Sequence, residues 1–484
     1  MSRVDQIAVA LLGLGSQAYV LLLRTAAVLG HVRAKAWVGM REQIEIEIEI
    51  EIEGEAPLRG GGMRDEDGVG GGVEGRGMRD EGGFGVDGGG MRDEGGVEVG
   101  DGVEGEEGGG RVVWVHCASL GEYEQGRPVI EAWRARHPED AVLLTFFSPS
   151  GYGPLAARRP PWFRAGDRIA ALPADVPRDV ERFLDTWEGR LRWAVFVKYE
   201  VWPNLLCALH RRGIRTALVA AHVVPGAWVL RPWGRGVRAL WRTFSLVLVQ
   251  TQNSTDLLAA VGIRSHPAGD PRADRVLAIV AGTESAPSPP HDALTALRSG
   301  RLCVVAGSTW PAEEDALLAS GLWGAEALLV LVPHDLAPAH LDALRGRLAG
   351  HRAAWWSDGP ASWAEADVVV VDAVGHLAGL YRHADVAVVG GGYGAGVHNL
   401  LEPAAHGRPL VTGPRIGRFR EAQLLHSAGA LTLAPTPAAL APALARLLAL
   451  SAADRAALGA AARALVASEA GAADRIVAAL EDLR

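Results

Sequence analysis

Residues 388–414 read VVGGGYGAGVHNLLEPAAHGRPLVTGP, which is an apolar strand, a glycine turn, a helix and a second strand in succession. Glycines stand at 390, 391, 392, 394 and 396, and His398, Asn399 and Glu402 follow them. Glycine lets a backbone approach a phosphate closely, and a helix N-terminus favours negative charge. The stretch therefore predicts a nucleotide-binding turn, with Glu402 one turn into the helix and placed to accept ribose hydroxyls. A glycine-rich packing turn is the alternative.

The spacing of these glycines differs from the GxGxxG of dinucleotide-binding folds, and the acid lies on the helix rather than after a following strand. Both differences disfavour an NAD-dependent oxidoreductase. They favour a nucleotide-sugar ligand.

Short apolar runs alternate with helical segments on both sides of a Pro/Ser-rich stretch at 281–291. Such alternation predicts βαβ units and parallel sheets, and ligands of such folds bind beyond the carboxyl ends of the strands. We expect an α/β protein with two Rossmann-like units facing a cleft, at 111–280 and 292–484, joined by a linker at 281–291. The runs before the linker are VVWVH, AVLLTFF, WAVFV, TALVAA and SLVLVQ, and those after it are LCVVAGS, LLVLVP, DVVVVD, VAVVGGG and PLVTG.

Residues 1–41 contain an apolar run from Ile7 to Leu23, followed by basic residues. A spanning helix needs roughly 20 apolar residues, so this run predicts a membrane anchor that either spans the bilayer or lies in its interface. The basic residues leave the rest of the chain on the cytoplasmic side. Residues 42–110 consist of Ile/Glu alternation and glycine-rich acidic repeats such as GMRDE, which predict a disordered tract. An interaction tail is the alternative.

The chain carries a formal net charge of −9 and three cysteines without CxxC spacing. An acidic chain lacks the positive field that attracts nucleic acid, so a nucleic-acid partner is not expected. Cys117, Cys207 and Cys303 each lie in an apolar run, which predicts buried thiols and a reducing compartment.

Two motifs of the first unit place polar residues where a strand meets a helix. In the first, Ser119, Gly121 and Glu122 follow the strand VVWVH. Glu122 is there a candidate general base for a sugar hydroxyl, or a first-turn acid beside an N-cap serine. In the second, VKYEVWPNLL, Lys198 and Glu200 occupy the corresponding turn, where a purely structural role is the alternative.

Two motifs of the second unit also end strands. AGSTWPAEE brings Ser308 and Thr309 into a turn whose N–H groups suit phosphate, and LVPHD places Pro333 and His334 at the cleft rim. Each motif is common by itself.

In this order the motifs resemble those of the Kdo transferases (3-deoxy-D-manno-octulosonic acid transferases, glycosyltransferase family 30). The family pattern runs SxGE, an acidic-WPN segment, GST-x-x-x-EE, a P-R/H motif, D-x-x-G-E-L and GG-x-x-x-x-GGHN-x-LEPA. This chain has SLGE, YEVWPN, GSTWPAEE, VPHD, DAVGHL and GGGYGAGVHNLLEPA. The resemblance covers residue 111 to the end and implies the two-domain GT-B fold.

The resemblance also implies residue roles. Glu122 matches the catalytic base, and Arg272 falls where the family has a lysine that stabilises the transition state. The segments matching those that hold the CMP moiety of CMP-Kdo are Pro333 and His334, then Val374, Gly375 and His376, and then Asn399, Leu400, Leu401 and Glu402. His398 is a further candidate for the cleft.

Three positions depart from the family pattern. Lys198 stands where the family has an acid that assists the transition state, so that role is lost, inverted or passed to Glu200. His376 replaces a common glutamate and His334 a common arginine.

Inverting transfer of Kdo from CMP-Kdo to a lipid A precursor, at the cytoplasmic face of the inner membrane, follows from the resemblance. Glu122 would take the proton of the acceptor hydroxyl, and Arg272, His334 and the turn around Asn399 would offset the charge of the leaving CMP. No metal or other cofactor is expected, because the DxD-type acid cluster is missing beside the donor loop.

The alternatives are another GT-B enzyme that uses a UDP-sugar and a catalytically inactive membrane scaffold. The UDP-sugar enzymes would be of the lipid A disaccharide synthase or UDP-GlcNAc epimerase type. A comparison of CMP binding with UDP binding distinguishes a Kdo transferase from a UDP-sugar enzyme. Transfer of the sugar to a lipid A precursor distinguishes it from an inactive scaffold.

Overall fold

In this computed structural model the described residues are 3–28, 40, 111–285, 289–394, 396–417 and 419–483. They form two seven-stranded sheets, and all neighbouring strands in both sheets run parallel. The predicted disordered tract at 42–110 lies outside the described residues. The predicted α/β architecture of two Rossmann-like units is confirmed.

The first sheet has the strand order β3-β2-β1-β4-β5-β6-β7. Its central strands are buried along their whole length, which explains the unbroken apolar runs in the sequence. The strands are β1 (Val112–Cys117), β2 (Ala141–Phe146), β3 (Arg168–Ala171), β4 (Leu191–Val197), β5 (Thr216–Ala221), β6 (Leu246–Val249) and β7 (His266–Pro267).

Helices cover both faces of this sheet, and several begin with a proline at the first turn, where its missing N–H costs no hydrogen bond. An N-terminal helix, α1 (Arg3–Val28), precedes them. The others are α2 (Leu120–Arg136), α3 (Pro149–Ala157), α4 (Pro177–Thr186), α5 (Pro203–Arg211), α6 (Arg235–Trp241) and α7 (Gln252–Ala259), with 3₁₀ turns at Trp228–Leu230 and Pro232–Gly234.

The second sheet has the order β10-β11-β9-β8-β12-β13-β14. Its strands are β8 (Leu302–Thr309), β9 (Ala327–Pro333), β10 (Ala353–Trp355), β11 (Val368–Val370), β12 (Val386–Val389), β13 (Leu410–Thr412) and β14 (Leu431–Leu433). Its helices are α9 (Pro289–Arg298), α10 (Pro311–Leu318), α11 (Pro338–Arg347), α12 (Leu377–Leu380), α13 (Leu401–Ala405), α14 (Arg420–Ser427), α15 (Leu440–Leu448) and α16 (Ala452–Ser468).

The strand order reverses between β1 and β4 in the first sheet and between β8 and β12 in the second. Such a switch point leaves a crevice beyond the carboxyl ends of the strands, where ligands of doubly wound folds bind. The predicted motifs SLGE and VKYE lie at the carboxyl ends of β1 and β4, and GGGYG follows β12. The sequence predicts Ser308 and Thr309 in a turn, whereas the structure has them as the last two residues of β8. Four of the candidate motifs therefore sit at the two switch points.

One helix, α8 (Pro271–Ser285), connects the two sheets and packs against α2 of the first unit and α13 of the second. The chain then returns to the first unit, because the last helix, α17 (Ala472–Asp482), packs its Ile476 and Leu480 into the core under α2. The predicted linker at 281–291 is therefore partly helical. Its first residues belong to the end of α8, and its last residues belong to the start of α9. The unit boundaries stay a prediction.

The cysteines are free thiols, and Cys117 and Cys303 are buried, as expected. Burial raises the pKa of both thiols. Cys207 differs from the expectation, because it lies half-buried on α5.

Gly459 of α16 lies against the turn after α13, so closely that a Cβ added there would stand 1.9 Å from the backbone oxygen of Gly407. Replacing Gly459 by alanine should force the helix away and lower the free energy of unfolding by about 1–3 kcal/mol. Gly282→Ala on α8 is the matched control, since nothing lies within 4 Å of its added Cβ. Alanine there should stabilise by up to about 1 kcal/mol through helix propensity. Urea unfolding of both variants measures the difference, and equal stabilities would contradict the packing account.

Candidate functional site

Glu122 lies in the first turn of α2, at the switch point of the first sheet. Ser119 occupies the N-cap position, but its hydroxyl donates to the Glu122 carboxylate and makes no bond to a backbone N–H. Glu122 is partly exposed, and Gly121 beside it is exposed. The serine thus orients this carboxylate, which stays open on the cleft side.

Glu200 follows β4, on the other side of the same switch point, and is buried. Its carboxylate accepts a hydrogen bond from the Trp202 indole N–H and lies 3.3 Å from Nε2 of the buried His116. The charges of Glu122 and Glu200 both raise the pKa of Cys117 in addition to burial, which shows that the two carboxylates flank the end of β1. The carboxylate of Glu200 is therefore held by Trp202 and His116, which fits a purely structural role for this residue.

Lys198 adopts a φ of 76°, a backbone conformation that non-glycine residues rarely accept. Its N–H donates to the Val219 carbonyl, which fixes the turn after β4. Strain of this kind recurs at functional sites. The structure places Lys198 at the carboxyl end of the sheet, as the sequence predicts.

Arg272 lies at the start of α8, where the two units meet. Its guanidinium contacts Asp270 at 2.6 Å and Glu421 of α14, in the second unit, at 3.1 Å. Burial raises the pKa of Tyr199. The charges of Asp270 and Glu122 raise this pKa further, whereas the charge of Arg272 lowers it. Arg272 is therefore close to both the acidic side of the first unit and the second unit.

Glu402 of α13 faces the first unit across the crevice. Burial raises its pKa to about 7; the amide of Asn399, which donates to it at 2.9 Å, lowers that pKa, and the charge of Glu124 raises it further. Glu124 stands two residues after Glu122 on α2 and pairs with Arg275 of α8 at 3.2 Å. Glu402 therefore lies close to the first turns of α2, the helix that begins beside Glu122.

The glycine turn after β12 is packed tightly. A Cβ at Gly390 would stand 2.1 Å from the Ser308 backbone oxygen, and one at Gly392 would stand 2.4 Å from the Gly413 nitrogen. Gly391 has a φ of 85°, and its N–H donates to the buried Glu313 carboxylate at 3.0 Å. These three glycines are thus explained by packing, the alternative considered for them, while Gly394 has only a Gly391 oxygen 3.8 Å from an added Cβ.

Three aromatic rings form a stack beside this turn. His334, after β9, lies 4.7 Å from the Trp310 ring and 4.4 Å from the His398 ring. The Trp310 indole donates to Nε2 of His398 at 2.9 Å. Burial lowers the pKa of His398 to about 4, and the nearby His334 lowers it further. The stack thus joins the turns after β8, β9 and β12.

The other residues predicted to bind CMP differ in burial and in their neighbours. Leu400 and Leu401 are buried in the core, so a donor can meet their backbone only. Val374 is 84% exposed and Gly375 has a φ of 88°. His376 packs on Trp356, at 5.0 Å between rings, rather than on the aromatic stack.

Three other candidates surround the aromatic stack. Pro333 is the buried end of β9, and Ser308 has a φ of 52°. Thr309 is buried, and its hydroxyl donates to Glu314. Its side chain is therefore turned away from the cleft.

Among the described residues, His137, Glu139 and Asp140 form a group close enough to hold a metal ion. They lie between α2 and the start of β2, at the opposite end of the strands from the switch point. The expectation that the reaction uses no metal or other cofactor stays a prediction.

The sequence missed several residues that border the crevice, namely Glu124, Tyr199, Arg275, Trp310 and Glu421. Arg275 was detectable, because it lies one helical turn after Arg272 on an amphipathic segment. Glu421 was not, since 149 positions separate it from Arg272 and only the fold joins them.

The pKa of about 7 at Glu402 predicts a pH-dependent stability. This pKa lies above the ordinary 4.5, so the folded protein holds the proton more tightly than the unfolded chain. Stability from this group is present below pH 4.5 and is lost as the pH rises to 7, by up to about 3 kcal/mol. Glu402→Gln should therefore gain stability relative to the wild type between pH 5 and pH 8.

Urea unfolding at both pH values measures this gain. Glu365→Gln, an exposed glutamate, controls for the loss of one carboxylate. A stability difference for Glu402→Gln that does not change with pH would contradict a raised pKa at Glu402.

Comparison with known proteins identifies relatives of this chain. The family model described as 3-deoxy-D-manno-octulosonic-acid transferase (kdotransferase) matches residues 97–275. The chain is 31% identical over 394 residues to the 3-deoxy-D-manno-octulosonic acid transferase of Bordetella pertussis, covering 76% of this chain and 87% of the relative. It is 26% identical over 308 residues to that of Aquifex aeolicus, covering 62% of this chain and 76% of the relative.

A crystal structure from Listeria monocytogenes, described as a UDP-N-acetylglucosamine 2-epimerase, matches with a TM-score of 0.52 at 14% identity. The match covers 77% of this chain and 96% of that chain, and it shows the shared fold of two facing Rossmann-like units. The resemblance seen in the motifs is confirmed by the sequence relatives, and the chain belongs to the 3-deoxy-D-manno-octulosonic acid transferase family.

Proposed function

We propose that this protein transfers Kdo from CMP-Kdo to a hydroxyl group of a lipid A precursor, at the cytoplasmic face of the inner membrane. Membership of the family supports Kdo as the transferred sugar, because the relatives are named 3-deoxy-D-manno-octulosonic acid transferases. The observation that carries the proposal is the position of two carboxylates near the start of α2. Glu122 lies in its first turn with a partly exposed carboxylate, and Glu402, bonded to Asn399, lies close to Glu124 of the same helix.

Glu122 suits the role of general base. A carboxylate that accepts the acceptor's proton in the transition state must be within hydrogen-bond reach of the hydroxyl, and it must be held in place. The Ser119 hydroxyl holds one oxygen of Glu122, and the partly exposed position leaves room for a sugar hydroxyl at the other. That hydroxyl attacks the anomeric carbon of Kdo in one displacement with inversion, and CMP leaves.

Glu402 and Asn399 suit the ribose of CMP. The amide of Asn399 already donates to Glu402, which leaves the second carboxylate oxygen as an acceptor for ribose hydroxyls. Helix α13 has five residues, so its dipole contributes little to phosphate binding. Phosphate binding therefore falls chiefly to side chains and to the turn after β12.

Arg272 supplies positive charge at the junction of the two units. In the unliganded protein Asp270 and Glu421 share its guanidinium. A planar guanidinium donates in several directions, so it can hold Asp270 and still offset charge that develops on the leaving phosphate. His334 stands on the donor side of the crevice and adds a hydrogen-bond donor there.

Neither Lys198 nor Glu200 takes over the role of the family acid unchanged. Glu200 is engaged by Trp202 and His116, so we assign it to positioning β4 and its turn. Lys198 carries the charge exposed at that turn, and its sign suits an anionic donor such as CMP-Kdo.

Glu122→Gln should abolish transfer while leaving the affinity for CMP within about twofold, because an amide keeps the shape but cannot accept the proton. The test uses CMP-Kdo and a tetraacylated lipid A precursor, with the product weighed by mass spectrometry. Glu131→Gln on the same helix, at a glutamate paired with Arg127, is the matched control and should retain activity.

Undiminished turnover by Glu122→Gln would remove the base assignment. A wild-type protein that binds UDP in preference to CMP would instead favour a UDP-sugar enzyme. Wild-type protein that binds CMP but transfers nothing would favour the inactive scaffold.

A further inference from the structure

Among the described residues, one helix is long and apolar enough to cross a membrane, namely α1, over Asp5–Leu23. One face of α1 contacts the first unit. Val9 and Val20 are buried, and Gly13 is buried between them. The opposite face exposes large apolar side chains, namely Ile7, Leu11, Leu14, Leu21 and Leu22, each at least 60% accessible. A contiguous apolar surface of this kind marks an interaction site.

Polar contacts pin α1 to the unit along its length. Asp5 pairs with Arg235 at 2.7 Å at the first turn, and the Ser16 hydroxyl bonds the buried Asp175 near the middle. Farther along, the Tyr19 ring stacks on Phe147 at 6.5 Å. From Asp5 to Val20 the helix axis covers about 22 Å, most of the hydrocarbon thickness of a bilayer.

Close backbone approach reinforces this docking. A Cβ at Gly236 of α6 would stand 2.7 Å from Leu12 and 3.0 Å from the Ala8 backbone oxygen. A Cβ at Gly13 would stand 3.2 Å from the side-chain oxygen of Asn204. The helix is thus packed against the folded unit and is not a free stalk.

These contacts are incompatible with a spanning helix. If α1 crossed the bilayer while docked, Asp175, Asn204 and Arg235 would enter the hydrocarbon, where buried polar and charged groups are costly. We propose that α1 is an in-plane anchor that stays docked on the first unit and lays its exposed apolar face into a lipid surface. This inference rests on the proposed function only in placing the acceptor in that membrane.

The surroundings of α1 suit an anionic lipid surface. Trp233, 68% exposed, precedes Arg235 by two residues and lies near the first turn of α1, with Trp228 at 6.3 Å between rings. Tryptophan favours the level of the lipid headgroups, and arginine attracts their phosphates. Among the arginines of α6 and its flanks, Arg235 is paired with Asp5, whereas Arg231, Arg238 and Arg242 donate to neutral backbone carbonyls and keep their positive charge.

The docked helix is also connected to the acceptor side of the crevice. Phe147, on which Tyr19 stacks, contacts Trp202 at 4.8 Å between rings, and Trp202 donates to Glu200. Asn204, against which Gly13 packs, donates to the Asp175 backbone at 2.6 Å in the WPN motif. An in-plane α1 therefore sets the crevice at the height of the lipid surface, where a lipid acceptor presents its hydroxyl group.

Depth measurements along α1 test this inference. Ile7, Leu14 and Leu21 lie seven residues apart on the exposed face, and each is replaced by cysteine in a Cys207→Ala background and labelled with an environment-sensitive fluorophore. Full-length protein is bound to vesicles of phosphatidylethanolamine and phosphatidylglycerol that contain lipids with nitroxide groups at different depths. An in-plane helix predicts the same shallow depth at all three positions.

Two outcomes would overturn the proposal. One is a label at Leu14 that is quenched best by the deepest nitroxide while those at Ile7 and Leu21 are quenched at the headgroups, which is the profile of a spanning helix. The other is no quenching at any of the three positions. The exposed Ala460→Cys on α16 is the control and should not be quenched.

A second measurement uses charge. Leu14→Glu with Leu21→Glu should lower the vesicle-bound fraction at least tenfold, whereas Gln6→Glu, which adds a charge at an exposed position outside the apolar set, should change it less than twofold. Equal binding by the double variant would contradict the proposal. Transfer to a detergent-solubilised acceptor should persist in the double variant, and its absence in the wild type would count against the proposed function rather than against the anchor.

Discussion

The contacts at the start of α8 hold the two units in their positions. Arg272 bonds Asp270 beside it and Glu421 in the second unit. Asp274, in the same turn, accepts hydrogen bonds from the backbone N–H groups of Gly471 and Ala473, where the chain returns to the first unit. The first turn of α8 therefore bonds both places where the chain passes between the two units, and in this way it holds the units relative to each other.

The crevice is built from acids in contrasting environments. Glu122 is oriented by a serine and partly open, Glu200 is buried against Trp202 and His116, and Glu402 has a pKa raised to about 7 by burial. Environments that separate the properties of carboxylates in this way are a usual means of assigning distinct roles within one site. The buried Glu313, which accepts the Gly391 N–H, belongs to the same construction because it fixes the glycine turn.

Much of the fold was predictable because parallel strands that are buried on both faces appear as unbroken apolar runs. The short edge strands β3, β7, β10 and β14 were missed, since two to four residues leave no such run. The SLGE and HNLLEP motifs predicted Glu122 and Glu402 as site residues, and their roles stay a prediction. Contacts such as Arg272–Glu421 were beyond prediction from sequence, because the residues are distant in the chain.

Some predictions about the site were too broad for physical reasons. Leu400 and Leu401 were predicted to bind CMP because they lie in the motif after the glycine turn. Their side chains, however, are buried in the hydrophobic core. Glycines 390 and 392 suggest approach to a phosphate, yet neighbouring strands occupy the space that their missing side chains leave. Likewise, the apolar run of α1 suggested an anchor, but only the structure shows which of its faces is covered.

The central claim is that a cytidine nucleotide binds in the second unit opposite Glu122. A crystal structure of the full chain with CMP tests it most directly. The account predicts the ribose at Glu402 and Asn399, the phosphate between the turn after β12 and Arg272, and the open side of the nucleotide facing Glu122. CMP bound on another surface, with the crevice between Glu122 and Glu402 empty, would contradict it.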